Sequence, residues 1–262
     1  MTEHIIDSSI PHSARVWNYW LGGKDNYEAD RAAADAFSEM YPGIGPLATQ
    51  SRQFLIRAVR YLTLEAGIRQ FLDIGTGLPT MDNTHEVAQR YAPDSRIVYV
   101  DNDPLVLATA RALLVNTTPE GVTAYVDADM HDPRTIVSDA RNILNFTKPI
   151  AVMFMGVLAH VADYEESREI VAEVLSAVPS GSYLLMWDGT TTSEGLVHAN
   201  EEYTKSGGVP YIPRDVEQIV RYFDGLELVE PGVRSVSLWR NDVAQIGAAA
   251  EVAGYGGIGR KP

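Results

Sequence analysis

One short stretch of this sequence combines a strand pattern, two glycines and a carboxylate. Phe71, Leu72 and Ile74 form an apolar run typical of a buried parallel strand, and the run ends at Gly75-Thr76-Gly77. The first glycine allows a tight backbone turn, and Gly77 lets a ligand approach the main chain without meeting a Cβ atom. A parallel strand that runs into a glycine turn and then a helix predicts a nucleotide-binding crevice.

Asp73 indicates which kind of nucleotide this crevice would hold. Thr80 stands where the third glycine of G-x-G-x-x-G would be, and the sequence has no G-x-x-x-x-G-K-[ST] phosphate loop. A carboxylate two residues before Gly75 would repel a pyrophosphate, but it suits the ammonium group of a methionine-like ligand. The spacing of Asp73, Gly75 and Gly77 resembles the first motif of class I S-adenosylmethionine (SAM) methyltransferases. The alternative interpretation is an ordinary strand-turn-helix unit.

A second carboxylate, Asp101, follows the next predicted strand, from Ile97 to Val100. Ligands of open α/β sheets bind beyond the carboxyl ends of the strands, so Asp73 and Asp101 are expected at one crevice. Asp101 can accept both ribose hydroxyls, in NAD enzymes as well as in methyltransferases. The competing role, capping the next helix, suits Asp103 better and leaves Asp101 for a ligand.

Two further strands add candidates at the same edge. Asp129, with its neighbour Met130, follows the third strand and could accept a proton from an adenine amino group, and Asp127 is the competing choice. Met155 and Gly156 end the fourth strand and are predicted to pack near the adenosine and the sulfonium. The alternative for Met155 is an ordinary core position.

Catalytic candidates are few, and we rank them His160, Tyr19 and Asp188. His160 follows the fourth strand and could be a general base or a structural residue. His85 is expected on the surface of the helix after the glycine turn. The six histidines show no H-E-x-x-H or clustered spacing, so no metal site is predicted.

The N-terminal region is the densest mixture of aromatic, amide and basic groups in the chain. A helix from Ala14 to Trp20 is predicted to stop at Gly22-Gly23. This helix could pack on the edge of the sheet, or it could form a lid over the pocket. As a lid it would offer Arg15 to a ligand carboxylate.

The elements that position these residues alternate along most of the chain. Residues 1–66 are predicted to form a helical cover, and residues 67–262 the SAM-binding domain, as one structural unit. The third helix of the cover has a buried apolar stripe, with Arg52, Arg57 and Arg60 mostly outward. Alternating strands and helices then predict a mostly parallel, doubly wound sheet. Residues 226–229 and 233–239 are expected to form an antiparallel hairpin, and the tail from Gly254 a flexible end.

Composition excludes several classes of protein. The chain has 262 residues, no cysteine, and a net charge of −14 from 21 basic and 35 acidic residues. This charge disfavours a nucleic-acid partner and favours a small molecule. The start of the sequence does not look like a signal peptide, and no apolar run is long enough to span a membrane. The expected compartment is the cytoplasm.

Several runs of the sequence together carry a specific resemblance: residues 18–27, 71–80, 98–104, 125–129, 223–232 and 256–262. They resemble a bacterial family of SAM-dependent methyltransferases, formerly a domain of unknown function, with a Leu-Gly-Gly-Lys-Asp-Asn element near the N-terminus. The resemblance implies a class I, Rossmann-like fold with the N-terminal helices over bound SAM. It also implies cofactor contacts at or near Arg15, Tyr19, Gly22, Asp73, Gly75, Asp101, Asn102 and Asp129; the neighbouring Thr76 and Gly77 complete the set.

The predicted function is therefore transfer of a methyl group from SAM to an unidentified small-molecule acceptor. Two alternatives stay open from the sequence: a non-catalytic SAM-binding sensor, and an NAD-type oxidoreductase.

Overall fold

The computed structural model describes residues 7–80, 82–113, 116–241 and 250–262. Its helices are α1 (Ser13–Trp20), α2 (Glu28–Met40), α3 (Ile44–Leu64), α4 (Thr84–Tyr91), α5 (Pro104–Leu113), α6 (Pro133–Ala140), α7 (Tyr164–Ala177), α8 (Glu194–Lys205) and α9 (Val216–Arg221). Its strands are β1 (Gln70–Ile74), β2 (Arg96–Asp101), β3 (Val122–Asp127), β4 (Ala151–Met155), β5 (Tyr183–Gly189), β6 (Glu227–Leu228), β7 (Arg234–Ser235) and β8 (Gly254–Arg260).

The strands form one sheet in the order β3-β2-β1-β4-β5-β8-β6, with β7 paired to β8. Strands β1 to β5 are parallel, and β8 runs antiparallel to β5. This confirms the predicted doubly wound, mostly parallel sheet with antiparallel strands at its C-terminal side. The chain leaves β1 in one direction and returns beside it as β4, so the switch point lies at the carboxyl ends of these two strands.

Helices cover both faces of the sheet, because β1 sends alternate side chains to opposite sides. Phe71 belongs to the apolar core shared with α3 and α4, whereas Leu72 and Ile74 belong to the core shared with α6 and α7. Buried strands flanked by two such cores cannot slip in register without exposing apolar side chains. The carboxyl ends of β1 to β4 are thereby held in fixed positions.

Helix α3 begins earlier than its sequence suggests. It starts at Ile44, so Gly45 and Pro46 lie in its first turn, where a missing N–H donor costs nothing. Arg60 is exposed as predicted. Arg57 is half-buried and its Nε donates to the backbone oxygen of Trp239 at 2.8 Å.

The C-terminal tail is the largest error in the predicted fold. Instead of a flexible end it forms β8, and β6 and β7 pair with β8 rather than with each other as a hairpin. Its glycines permit close packing: a Cβ atom at Gly256 would lie 2.3 Å from the backbone oxygen of Met186. The glycine-rich composition therefore reflects a strand squeezed against β5, not chain mobility.

Smaller differences concern helix ends and regions outside the described residues. The sequence predicts helices from Pro133 to about Leu144 and from Pro213 to Phe223, whereas α6 ends at Ala140 and α9 covers only Val216–Arg221. The sequence also predicts that the helix starting at Pro104 ends near Val115, and that end lies outside the described residues, as do the first six residues of the chain. No described helix is long and apolar enough to cross a membrane.

Candidate active site

A cavity of about 440 Å³ lies at the carboxyl ends of the parallel strands, with α1 and α3 on its opposite side. Most of the predicted site residues line it: Asp73, Gly75, Thr76, Gly77, Asp101, Asn102, Asp129, Met130, Met155, Gly156 and His160. This volume is within the range of small-molecule sites in proteins. The structure therefore brings together residues that are up to 87 positions apart in sequence, from Asp73 to His160, because their strands end at one edge.

The two glycines of the turn have different roles. Gly75 has φ +71°, and a Cβ atom there would lie 2.3 Å from the side chain of Val157. Gly77 has φ +66°, and the nearest atom to an added Cβ would be that of Ala14 at 3.9 Å. Gly75 is thus required by the packing of the protein itself, whereas Gly77 leaves space beside the backbone.

Asp73 is buried at the end of β1, with only 3% of its surface exposed. One of its oxygens accepts a hydrogen bond from the hydroxyl of Thr84 at 2.7 Å. Burial raises the pKa of Asp73 to about 6, because the charged form loses its hydration. A cation in the cavity would restore a charged partner to this carboxylate.

Asp101 connects β2 to the glycine turn. Its Oδ2 accepts from the backbone N–H of Gly77 at 2.8 Å, and its Oδ1 accepts from that of Asp103 at 3.0 Å. Burial raises the pKa of Asp101 above its ordinary value. Asp103 caps α5 as predicted, since its Oδ1 accepts from the N–H of Leu105 at 2.8 Å.

The structure also separates the two candidates that follow β3. Asp129 lines the cavity and accepts from the backbone N–H of His131 at 2.9 Å. Asp127 is the last residue of β3, pairs with Asp101 across the sheet, and does not line the cavity. Of the two, only Asp129 can contact a ligand in the cavity.

Three predicted cofactor contacts, Arg15, Tyr19 and Gly22, do not line the cavity. The Nε of Arg15 is 2.9 Å from a carboxylate oxygen of the buried Asp30, and the hydroxyl of Tyr19 donates to Asp35 at 3.1 Å. Both partners belong to α2, so this face of α1 is turned towards α2. In this arrangement none of the three reaches the cavity, and their contact with the ligand stays a prediction.

The opposite face of α1 lies over the cavity. Trp17 contacts Trp187 of β5 with ring centroids 5.8 Å apart, and Trp20 contacts Phe37 at 5.0 Å. Tyr203 of α8 continues this aromatic wall, 6.5 Å from Phe37. We call the part of the cavity near α8 the apolar lobe and define it by Trp17, Trp20, Phe37, Trp187, Leu196, Asn200 and Tyr203.

The described residues of the apolar lobe include no charged side chain, and one fully buried polar atom there lacks a hydrogen-bond partner. The hydroxyl of Tyr203 has no hydrogen bond to the residues that the structure describes, and burial raises its pKa to about 12. Asn200 is also buried, and its Nδ2 donates to the backbone oxygen of Leu196 at 2.8 Å. A ligand in this lobe would therefore meet mainly aromatic and aliphatic side chains.

His160 and Asp188 differ in their access to the cavity. The Nδ1 of His160 is 2.7 Å from the backbone oxygen of Pro210, which can only accept, so Nδ1 carries the proton and Nε2 the lone pair. Burial lowers the pKa of His160, which keeps the ring neutral at pH 7. Asp188 does not line the cavity, because Tyr211 stands in front and donates to it at 2.9 Å. In this arrangement Asp188 has no access to the cavity, and its catalytic role stays a prediction.

Sequence reasoning missed one charged residue and misplaced another. Arg52 was expected outward on α3, but it is half-buried and lines the cavity. The signal was present in its helical spacing from Leu55 and Ile44, which line the cavity too. His85 is buried rather than exposed, with its backbone N–H bonded to the hydroxyl of Tyr99 at 2.8 Å.

No group of three or more potential metal ligands occurs among the residues that the structure describes. The acid-base and ligand-binding groups of the cavity are thus carboxylates, hydroxyls, amides, the Arg52 guanidinium and the imidazoles of His12, His131 and His160.

A family model described as S-adenosyl methyltransferase matches residues 1–262. The chain belongs to this family. The solved structure of a DUF574 family protein from Streptomyces avermitilis is 44% identical, with a TM-score of 0.93 over 98% of this chain and 100% of that one. A candidate methyltransferase from Thermobifida fusca is 42% identical, with a TM-score of 0.89 over 97% of this chain and 96% of that one.

More distant structures agree with the fold. An O-methyltransferase family protein from Burkholderia thailandensis is 18% identical, with a TM-score of 0.55. The match covers 84% of the chain described here and 58% of the Burkholderia protein. No protein with a curated description matches the sequence. Family membership confirms SAM as the cofactor and methyl transfer as the activity, in preference to a sensor or an oxidoreductase.

The cavity fits this cofactor in size and charge. SAM carries a sulfonium and an ammonium, and the carboxylates of Asp73, Asp101 and Asp129 line the cavity. The open space beside Gly77 allows a ligand to approach the backbone of the turn.

Proposed function

We propose that the methyltransferase acts on a small, uncharged and largely apolar acceptor bound in the apolar lobe. The observation that carries this proposal is the wall of that lobe, which is mainly aromatic and aliphatic and has no charged side chain. Apolar pockets with a few convergent polar groups are typical of small-molecule sites.

The cofactor would occupy the strand ends. Asp101 would accept hydrogen bonds from the ribose hydroxyls, Asp129 from the adenine amino group, and Asp73 from the methionine ammonium. Met155 and Gly156 at the end of β4 would pack near the sulfonium. Thr76, Gly77, Asn102 and Met130 complete the proposed cofactor contacts, which all line the cavity.

Bound SAM would supply an electrophilic methyl group for in-line displacement by the acceptor. The protein contributes alignment of the acceptor and exclusion of water. An acceptor hydroxyl or protonated nitrogen must also lose a proton, and His160 is the proposed proton acceptor. Its Pro210 contact leaves the Nε2 lone pair available.

The same charges argue against a nucleic-acid acceptor. The chain carries a net charge of −14, and among the described residues lining the cavity only Arg52 is a lysine or arginine. The negative charges of a phosphate backbone would therefore meet few basic side chains that could neutralise them. The compartment we propose is the cytoplasm, since a chain without cysteine has no disulfide framework.

The test follows the transferred methyl group. Methyl-labelled SAM is incubated with the protein and an extract of cells of its source organism, which is then separated into macromolecules and small molecules. Label is expected in the organic-soluble small-molecule fraction. Label in nuclease- or protease-sensitive material instead would contradict a small-molecule acceptor.

A paired substitution locates the acceptor. Val209 lines the mouth of the cavity near α8, and Val220 is similarly exposed on α9 but does not line it. Val209→Trp is expected to reduce transfer at least tenfold while binding of S-adenosylhomocysteine (SAH), the product of methyl transfer, is retained. Val220→Trp is the control and should change neither quantity. Equal activity of the two variants would show that the acceptor does not bind in the apolar lobe.

A further inference from the structure

The roles proposed above leave one charged side chain of the cavity unused, the guanidinium of Arg52. It is the only lysine or arginine among the described lining residues. Four other residues of α3 line the cavity beside it: Ile44, Leu47, Ser51 and Leu55. The helical repeat of α3 therefore turns Arg52 towards the ligand space, on the face opposite the strand ends.

Arg52 also differs from Arg15 and Arg57 in having no bonded partner among the described residues. It forms no hydrogen bond or ion pair with any residue that the structure describes. Arg15 is held by Asp30, and Arg57 by the backbone oxygen of Trp239. A guanidinium keeps its charge and offers five N–H donors. Leaving it half-buried without an acceptor is costly, so its position favours an anion in the cavity.

Asp73 provides the opposite charge on the same cavity. Burial lowers the pKa of Arg52, and among the nearby acidic groups Asp73 has the largest opposing effect on that pKa. The two side chains nevertheless form no ion pair, although both line the cavity. Asp73 is bonded instead to Thr84, through one oxygen. A guanidinium and a carboxylate that share a cavity without touching are complementary to a molecule carrying both charges.

We propose that Arg52 and Asp73 together bind the amino-acid end of SAM. The guanidinium of Arg52 donates to the α-carboxylate, and the free oxygen of Asp73 accepts from the α-ammonium. This inference rests on the proposed function, because it requires the methionine part of SAM to lie at the end of β1. Arg52 takes the role that the sequence suggests for Arg15. In the structure the Nε of Arg15 donates to Asp30, and its Nη2 donates to the backbone oxygen of Ile10.

The subsite has a consequence for selectivity. Ligands that keep the adenosine but lack the carboxylate lose the Arg52 contact, and they leave the guanidinium without a partner. The enzyme is therefore selective for intact SAM and SAH over adenosine thioethers without the amino-acid end. The contribution of charge-assisted hydrogen bonds of this kind corresponds to a factor of about 10 to 100 in affinity.

The experiment compares two ligands on several variants by calorimetry. The ligands are SAH and its decarboxylated form, which keeps the ammonium and lacks the carboxylate. Wild-type protein is expected to bind SAH about 10 to 100 times more tightly than the decarboxylated form. Arg52→Gln should weaken SAH by that factor and leave the decarboxylated ligand unchanged, so that the preference disappears. Arg52→Lys should retain part of it.

Two controls separate the possible failures. Arg60→Gln removes an exposed arginine of the same helix that does not line the cavity, and it should preserve the preference. A wild-type protein without preference, or an Arg52→Gln protein that keeps it, overturns the assignment. In both cases Asp101→Ala should still weaken the two ligands alike, which leaves the proposed function standing. If Asp101→Ala weakens neither ligand, the proposed function fails and this inference fails with it.

Discussion

At the scale of single residues, Asp101 has both a structural and a proposed ligand-binding role. Its two oxygens accept backbone N–H groups of Gly77 and Asp103, so it fixes the glycine turn against the start of α5. Each carboxylate oxygen retains a lone pair for a further donor. A residue that holds the turn and also faces the cavity would orient the ribose at little additional entropic cost.

Replacing Asp101 by alanine is expected to weaken SAH binding by about 1 to 3 kcal/mol, the cost of leaving polar groups unpaired. Asp127→Ala is the matched control, because Asp127 pairs with Asp101 in the sheet but does not line the cavity. Calorimetry of both variants measures the difference. Equal affinities would remove Asp101 from the cofactor site.

Residue types at strand ends were predictable, whereas the directions of helical arginines were not. Asp73 and Asp101 follow apolar runs, and a parallel sheet forces such positions to one edge. Arg15 and Arg52 both lie on helices, but only Arg15 has an acidic partner among the described residues. That partner is the buried Asp30, fifteen residues further along the chain, and no local sequence pattern predicts their ion pair.

At the scale of elements, α1 and α2 form a unit held by Asp30. This buried carboxylate accepts from the backbone N–H groups of His12 and Tyr27 at 2.9 and 2.8 Å and pairs with Arg15. Asn18 adds a second connection, since its Oδ1 accepts from the N–H of Asp25 at 3.1 Å. The pair can therefore move as one body over the cavity, which is the behaviour we propose for the helical cover.

Binding of SAH is expected to slow hydrogen exchange in residues 14–27, because α1 lines the cavity and would lose freedom on ligand contact. Helix α9 does not line the cavity and should hardly change, which makes it the internal control. A protein lacking residues 1–27 should bind SAH far more weakly. Unchanged exchange in residues 14–27 together with normal affinity of the shortened protein would make α1 an edge helix only.

The strand β8 shows why some elements escape prediction. Its residues Gly254, Gly256, Gly257 and Gly259 read as a mobile tail, because glycine weakens an isolated strand. In the sheet, a Cβ atom at Gly259 would lie 2.8 Å from the ring of Phe223, and one at Gly254 would lie 2.6 Å from Leu47. The need for glycine comes from neighbours distant in sequence, so only the assembled sheet reveals it.

At the scale of the whole molecule, burial raises the pKa of two carboxyl groups near the carboxyl ends of the strands, one that lines the cavity and one that does not. Asp73 lines the cavity, and Asp188 lies behind Tyr211 at the end of β5. Burial raises the pKa of the first to about 6 and that of the second to about 7. Both carboxyl groups are therefore protonated in the folded protein at mildly acidic pH. Their ionisation near neutrality lowers the free energy of unfolding of the ligand-free protein.

Asp188 gives the sharper test, since it does not line the cavity and its contribution is separable from ligand binding. Its pKa in the unfolded chain is near 3.8, and in the folded protein a hydrogen bond from Tyr211 only partly offsets the effect of burial. Between these pKa values the unfolded chain is ionised and the folded protein is not. The contribution of Asp188 to the free energy of unfolding should therefore fall as pH rises from about 4 to about 7, and stay level above that range.

The expected contribution of Asp188 between pH 5 and pH 7.5 is about 2 to 3 kcal/mol, from two to three tenfold steps in proton affinity. Urea unfolding of the ligand-free protein across this range measures it. Asp188→Asn cannot ionise, so its free energy of unfolding should fall less with pH by that amount, whatever its absolute stability. Glu169→Gln removes an exposed carboxylate and should reproduce the wild-type slope. If Asp188→Asn also reproduces that slope, Asp188 is ionised throughout, and the buried proton at the end of β5 does not exist.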